Sequence, residues 1–201
     1  MSAMTELDTR TQIIKAAEIR FTQYGYGKTT MAEIAKDCGM SVGNLYRHYK
    51  NKLDIGSAMA ELFFNEEYTH LRRIIHRKDV SSAKKLETFT LHALHHCHNY
   101  FTNSPRIIEL VEVMSVQSPC VCDSHQQKKI ALLEDLLKQG QEKSEFFVDD
   151  ITRAAVAIHM ATLLFHMPMM MPIYTLKELE DRAKTLCLII VNGLQQKEKI
   201  T

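Results

Sequence analysis

The sequence predicts an all-α protein of about nine helices, with a small N-terminal head and a larger helical C-terminal domain. Three observations support this fold class. Apolar residues recur at spacings of three and four along most of the chain. Capping residues, glycines and prolines separate these stripes, and no segment shows the alternating pattern of a strand. We place the head at residues 1–52 and the second domain at residues 53–201, joined by a connecting helix over 52–76.

Charge and composition narrow the classes of function. The chain has 25 Lys and Arg against 24 Asp and Glu, so it is not a polycation as a whole. Residues 1–52 carry eight basic against five acidic side chains, a net charge of +3 that is enough to attract phosphates. Five cysteines without framework spacing, and no signal sequence, indicate a reduced cytoplasmic protein. No apolar run is long enough to span a membrane.

The first helix is predicted from Thr9 or Thr11 to Tyr24, after a loose arm over residues 1–8. Its apolar stripe would pack across the next two helices and complete a three-helix head. Gly25 ends this helix, because glycine favours the backbone that follows a helix.

Two short helices with a tight turn between them are predicted from residue 29 to residue 52. Thr30 and Glu33 form a capping box at the start of the first of these helices. Gly39 has the conformational freedom to close that helix, and Ser41 is an N-cap for the next one. The pattern is that of a helix-turn-helix.

The outer face of the second short helix carries polar groups and little bulk. Its members are Gly43, Asn44, Arg47 and His48. A face of this kind suits a helix that lies against base edges in the major groove. Gly43 lowers helix stability, and close approach to another surface is one reason to keep a glycine there.

The segment TTMAEIAKDCGMSV followed by GNLYRHYKNKLDI resembles the DNA-binding signature of the TetR family of bacterial transcriptional regulators. The resemblance covers residues 9–60 and implies a homodimeric repressor that a small ligand releases from operator DNA. We expect base contacts from Asn44 and Arg47, although the family often has an aromatic residue at position 47. The predicted DNA-binding residues are Lys28, Thr29, Thr30, Gly43, Asn44, Tyr46, Arg47, His48, Tyr49 and Lys52. Tyr46 and Lys52 rest mainly on the resemblance.

Beyond the connecting helix, five more helices are predicted with a loop at residues 118–124. They cover residues 82–101, 105–117, 125–139, 150–167 and 175–196. The last two are the most apolar and are joined by a short turn. Two copies of this pair would form a four-helix bundle, so we expect a homodimer through helices 150–167 and 175–196. The final QQKEKIT tail is expected to be solvated.

The second domain offers an apolar pocket and two chemical alternatives. We expect a pocket for an unidentified apolar effector. The residues expected to line it are Tyr68, Phe89, His92, His96 and Met160. The histidines from His92 to His98 have helical spacing that could share a metal ion, and Cys120 with Cys122 could sense thiol redox state or bind a soft metal. The methionines near His159 and His166 could take Cu(I), but they suit an apolar lining better.

Enzymatic function is not expected. The sequence has no Gly-rich phosphate loop, no HExxH motif and no nucleophile elbow. We therefore expect no cofactor and no resident metal, and a cytoplasmic protein whose partners are double-stranded operator DNA, a second copy of itself and a small ligand. An effector-free structural DNA-binding protein is the alternative of another class.

Overall fold

The computed structural model describes the backbone of residues 3–196 and the side chains of residues 8–196. Within that range it contains nine α-helices and no strand, which confirms the predicted fold class. The α-helices are α1 (Ala3–Tyr24), α2 (Met31–Asp37), α3 (Val42–His48), α4 (Lys52–Ile75), α5 (Ser82–Asn103), α6 (Ile108–Gln117), α7 (Pro119–Glu142), α8 (Ile151–Thr162) and α9 (Leu176–Gln195). Short 3-10 helices cover Pro105–Ile107, Leu163–His166 and Pro168–Met170.

Packing divides the chain into two compact units. The first takes in Met1–Phe64 and Asn103–Asp123, and the second takes in Asn65–Thr102 and Ser124–Thr201. Helix α4 contributes residues to both units, whereas α6 belongs to the first. The boundary near residue 52 stays a prediction, because compact packing alone does not establish which segments fold independently. No helix among residues 3–196 combines the length and apolar character needed to cross a membrane.

Three segments differ from the expectations. The loose arm predicted over residues 1–8 is wrong from Ala3 onward, where α1 begins. The loop predicted at 118–124 is part of α7, whose first residue is Pro119, since the fixed φ of proline suits the first helical position. Helix α8 ends at Thr162 and continues as a 3-10 turn to His166. The turn stops there because Met167 precedes Pro168 and takes extended backbone. Of the predicted tail, residues 197–201 lie outside the described residues.

The core of the second unit is assembled from five helices. Buried apolar side chains from the C-terminal part of α4, from α5, α7, α8 and α9, and from the segment between α7 and α8 form one cluster: Leu71, Ile75, Leu86, Phe89, Leu132, Leu133, Leu136, Leu137, Phe146, Ala155, Ile158, Cys187 and Val191. Thr175 and Glu178 form the predicted capping box of α9. A core drawn from helices distant in sequence fixes where the polar groups carried by the same helices can lie.

Candidate DNA-binding interface and effector region

The turn between α2 and α3 is a complete helix-ending motif. Gly39 has φ +65°, the left-handed conformation that glycine adopts without strain. The Met40 amide donates to the Ala35 carbonyl at 3.0 Å and the Gly39 amide donates to the Lys36 carbonyl at 3.0 Å. Two hydrogen bonds of this kind satisfy the last carbonyls of α2. The turn therefore sets the direction in which α3 leaves.

Caps at both short helices confirm the sequence prediction. The Glu33 amide donates to Thr30 Oγ1 at 3.3 Å, and the Thr30 amide donates to Glu33 Oε2 at 2.9 Å. At α3 the Asn44 amide donates to Ser41 Oγ at 3.2 Å. These bonds satisfy amides that would otherwise lack partners at the helix starts.

Helix α3 buries one side and exposes the other. Leu45 and Tyr49 are buried, whereas Gly43, Tyr46 and Arg47 are exposed. Tyr46 is 50% exposed, and it is large enough to reach beyond the helix toward a neighbouring surface. Asn44 and His48 are intermediate in exposure. The helix therefore presents an amide, a guanidinium and a phenol outward.

No intramolecular contact requires a glycine at position 43. A Cβ atom built on Gly43 would have no other heavy atom within 4 Å, and its φ is not in the left-handed region. A glycine in a helix costs about 0.8–1 kcal/mol relative to alanine. The packing of the described residues therefore gives no reason for a glycine at position 43. Close approach of another molecule to this face would give one.

Arginines from α1 hold the two short helices in place. Arg10 Nη1 donates to the His48 carbonyl at 2.8 Å, and the Arg10 guanidinium lies 4.3 Å from the centre of the Tyr49 ring. Arg20 Nη2 donates to Asp37 Oδ1 at 3.0 Å, and its Nε donates to the other oxygen of the same carboxylate. This hydrogen bonding lowers the pKa of Asp37. Sequence reasoning missed both clamps.

Lys52 was expected to contact phosphate, but its ammonium group binds the protein itself. Lys52 Nζ donates to the Thr29 carbonyl at 2.7 Å and to the Tyr26 carbonyl, and it lies 4.1 Å from the centre of the Tyr26 ring. Burial lowers the pKa of Lys52. The geometry suits a lysine that fixes the loop before α2, and its predicted phosphate contact is not tested.

Among four other residues predicted to contact phosphate, two are exposed and two are buried. Lys28 and Thr30 are exposed at the start of α2, where backbone amides favour an anion. Thr29 is buried, and its hydroxyl donates to the Gly25 carbonyl at 2.9 Å. Tyr49 is also buried beneath Arg10, so both side chains hold the head together, and their part in phosphate binding stays a prediction.

Helix α6 contacts the loop before α2 within the first unit. The Gly27 amide donates to Glu109 Oε1 at 2.9 Å. A Cβ atom on Gly27 would lie 2.5 Å from the same oxygen, and one on Gly56 would lie 2.7 Å from Leu110 Cδ1. A Cβ atom at either glycine would displace the end of an α6 side chain, so α6 packs closely against the loop before α2 and the start of α4. Sequence reasoning missed this contact, which joins residues 82 positions apart.

The five predicted effector residues have different surroundings, although Tyr68 packs against the buried core that contains Phe89. Phe89 is a member of the buried core. The His92 ring stacks between His70 and His96, at centroid distances of 5.1 and 6.2 Å. Met160 is 58% exposed on α8.

Tyr68 lines a different feature, a depression of about 320 Å³ along one face of α4. The other lining residues are Thr69, Arg72, Arg73 and His76. None of the other four predicted effector residues belongs to this lining, and the effector assignment of all five stays a prediction.

The structure shows no preformed metal site among the described residues, and the thiol alternative stays a prediction. Among the residues the structure describes, no three histidine, cysteine or acidic side chains are placed to hold one metal ion. Cys120 is exposed and Cys122 is partly buried, and both are free thiols. The stacked histidine rings of α4 and α5 present faces to one another, whereas metal ligation needs converging ring nitrogens.

A buried polar cluster in the second unit was also missed by sequence reasoning. Glu67 Oε2 accepts from His125 Nε2 at 2.7 Å, and Glu67 Oε1 accepts from Lys129 Nζ at 3.1 Å. Burial alone would raise the pKa of Glu67, but Lys129 and His125 hold it well below its ordinary value. Burial lowers the pKa of His159 to about 4 and that of His166 well below its ordinary value. The only sequence signal was polar residues at core-facing positions of α4, α7 and α8.

Comparison with known proteins identifies the class. The sequence model for bacterial regulatory proteins of the tetR family matches residues 13–59, and that for the tetracyclin repressor-like C-terminal domain matches residues 82–187. The chain therefore belongs to the TetR family of bacterial transcriptional regulators, whose members bind DNA.

Individual relatives agree with this assignment. The probable HTH-type transcriptional regulator ArpR of Pseudomonas putida is 29% identical over 167 residues, 75% of each chain, and the HTH-type transcriptional regulator TtgR of the same species gives the same figures. SmeT, the repressor of the Stenotrophomonas maltophilia multidrug efflux pump SmeDEF, shares the fold with a TM-score of 0.68 at 21% identity. That match covers 96% of this chain and 92% of SmeT. SmeT is also known in complex with triclosan.

Gly43→Ala tests whether the outer face of α3 approaches another molecule. The free protein should keep its stability or gain up to about 1 kcal/mol, because the added methyl meets nothing and favours the helix. Affinity for a cognate DNA site should nevertheless fall at least about tenfold, an expected loss of about 1.4 kcal/mol. Thermal unfolding and fluorescence anisotropy measure the two effects. DNA affinity equal to that of the wild-type protein would refute the assignment.

Arg47→Ala tests base readout. Loss of a guanidinium that contacts a base edge should cost about 1–3 kcal/mol at the cognate site. Binding to random DNA of equal length should fall much less. The control is Lys28→Ala, which should weaken both DNAs alike and reduce the dependence on salt. A uniform loss in Arg47→Ala, measured by competition titration, would mean that Arg47 touches only phosphate.

Proposed function

We propose that the protein is a dimeric repressor that binds a palindromic operator and releases it when a small effector occupies the second unit. The outward face of α3 carries this proposal. Its turn, caps and clamps hold a short polar helix rigidly at the surface, and its one unexplained glycine leaves room for a partner. A helix held in this way can enter the major groove, while α2 lies across the backbone with Lys28 and Thr30 near phosphate.

The apolar faces of α8 and α9 support dimerisation. Val156 and Met160 on α8 and Leu164 on the 3-10 turn that follows lie four residues apart and are all exposed in the single chain. Leu188 and Ile189 on α9 are 60% and 63% exposed. Exposed apolar side chains in such stripes favour burial against a second copy. A dimer also fits the DNA argument, because two recognition helices about 34–36 Å apart can read the two halves of a palindrome.

Contacts inside the first unit suggest how an effector signal would reach the DNA-binding helices. Helix α4 is continuous from Lys52 to Ile75 and contributes residues to both units. At its start, Lys52 holds the carbonyls of the loop before α2, and Glu109 of α6 holds the Gly27 amide of the same loop. A shift of α4 or α6 would therefore move this loop. An effector that favours one position of these helices would change the population of the DNA-binding conformer.

The solved complex of SmeT with triclosan supports a small, largely apolar effector as the ligand class. Triclosan binding is a property of SmeT, and the chain discussed here shares the fold at 21% identity. The alternative function, a structural DNA-binding protein without an effector, predicts that no small molecule changes the affinity for DNA. We favour the ligand-responsive function because the second unit contains buried polar groups that a purely structural core does not need.

Leu188→Glu tests the interface and its link to DNA binding. A charge at the centre of the apolar face should convert the dimer into a monomer at micromolar concentration, as measured by sedimentation. Affinity for a palindromic site should fall at least about 100-fold, because each head would then bind alone.

Val116→Glu, at an exposed apolar residue of α6, is the control and should change neither property. A Leu188→Glu protein that remains dimeric would show that the interface lies elsewhere. Selection of bound fragments from a random DNA library provides the site. If the wild-type protein enriches no sequence, the proposed function is wrong.

A further inference from the structure

We propose that the buried polar cluster of Glu67, His125, Lys129, His159 and His166 binds a mostly apolar molecule through a carboxylic acid group that is taken up together with its proton. This inference rests on the proposed function, because it names the effector's polar group and the residues that hold it. The residues proposed here to bind the polar group of the effector are different from His92 and His96, which the sequence predicts to line the effector pocket.

The cluster brings together residues from three helices and one 3-10 turn. Glu67 belongs to α4, His125 and Lys129 to α7, His159 to α8, and His166 to the turn that follows α8. Glu67 accepts hydrogen bonds from both α7 residues. The His159 and His166 rings lie 5.6 Å apart, centre to centre. The charges of Lys129 and Glu67 act on the pKa values of both His159 and His166. Four separate elements thus contribute polar groups to one interior region.

His159 has hydrogen-bonding capacity that the described residues do not use. Its side chain belongs to a residue only 1% exposed, and neither ring nitrogen has a hydrogen-bond partner. A buried polar group without a partner costs about 1–3 kcal/mol. A protein whose function needed only a packed core would be more stable with leucine at this position. The cost is therefore evidence that another molecule supplies the partner.

The available donors and acceptors specify the complementary group. Neutral His159 offers one N–H donor and one lone pair. Lys129 uses one of its three N–H groups on Glu67, and the structure shows no second partner for it among the described residues. A ligand that donates one O–H to His159 and accepts at oxygen from Lys129 satisfies both. A protonated carboxylic acid has this arrangement, whereas an ammonium group cannot accept from Lys129.

Charge balance favours uptake of the acid with its proton. The negative charge of Glu67 is balanced by the positive charge of Lys129. Burial lowers the pKa values of the three histidines in the cluster, which favours their neutral forms. Cys97 of α5 faces the same charges, and burial raises its pKa to about 12, so it adds no charge. An anion or a cation alone would leave the buried cluster with a net charge, which is costly. A protonated acid leaves the total at zero, whether the proton stays on the ligand or moves to His159.

The surroundings fit the apolar remainder of such a molecule. Leu71 follows Glu67 by one helical turn, and Leu132 and Leu133 follow Lys129 in the same way. Ile158 precedes His159 and Phe165 precedes His166, and both apolar side chains are buried. Apolar walls around a few polar groups are typical of small-molecule sites.

Calorimetry on the full-length wild-type protein tests the proposal with two matched pairs of probes. Octanoic acid and 4-phenylbutanoic acid are compared with octylamine and 4-phenylbutylamine at pH 7.5. At least one acid should bind saturably, and its affinity should exceed that of its amine at least about tenfold. Titrations in phosphate and in Tris should show uptake of about one proton per acid bound, because a carboxylic acid is almost wholly ionised in solution at this pH.

Variants assign the binding to the cluster. His159→Leu should raise the melting temperature, since it removes a buried imidazole that lacks a partner, and should weaken acid binding at least about tenfold. His98→Leu is the matched control, because His98 Nδ1 is also buried without a partner but lies outside the cluster. The double variant Glu67→Gln with Lys129→Met removes both charges together, so that no unpaired ion remains. It should also lose acid binding.

Four results would overturn the proposal: no saturable binding of either acid, amines that bind as tightly as acids, acid binding without proton uptake, or unchanged acid affinity in His159→Leu. DNA binding by the wild-type protein without probe is measured separately. Failure to bind DNA would refute the proposed function. A protein that binds DNA but neither acid would refute this inference alone.

Discussion

The seven-residue helix α3 depends on contacts outside itself, and the function of the molecule depends on α3. An isolated helix of this length is unstable in water. Gly39 ends α2 so that α3 can begin at once, Ser41 caps it, and buried Leu45 attaches it to the head. Arg10 binds the carbonyl of its last residue. Because these contacts all lie on the inner side, the outer side remains available for another molecule.

The positive charge of the head is divided between structure and recognition. Three of the eight basic side chains in residues 1–52 bind the protein itself: Arg10, Arg20 and Lys52. Lys28 is exposed just before α2, and Arg47 is exposed on the outer face of α3. A charge count therefore overstates the number of groups that can reach phosphate. The exposed positions of Lys28 and Arg47 also explain how a chain with a net charge of only +1 can present a small basic surface.

Local features could be predicted from the sequence, and distant contacts could not. The capping boxes at Thr30 and Thr175 and the left-handed Gly39 each depend on residues within one turn, so their chemistry is visible in the chain. The pairing of Glu67 with Lys129 joins residues 62 positions apart, and no local pattern encodes it. The sequence likewise showed that Lys52 was near the recognition helix, but not that the Tyr26 ring and two carbonyls would hold it.

The most direct test of the central claim is methylation interference on a DNA fragment selected by the protein. Methylation of guanine N7 modifies the major groove, and methylation of adenine N3 modifies the minor groove. If the face of Gly43, Asn44 and Arg47 enters the major groove of each half-site, N7 methylation should block binding in two zones about one helical turn or a small multiple of a turn apart. Interference at adenine N3 alone, or at no base within the bound site, would contradict the account.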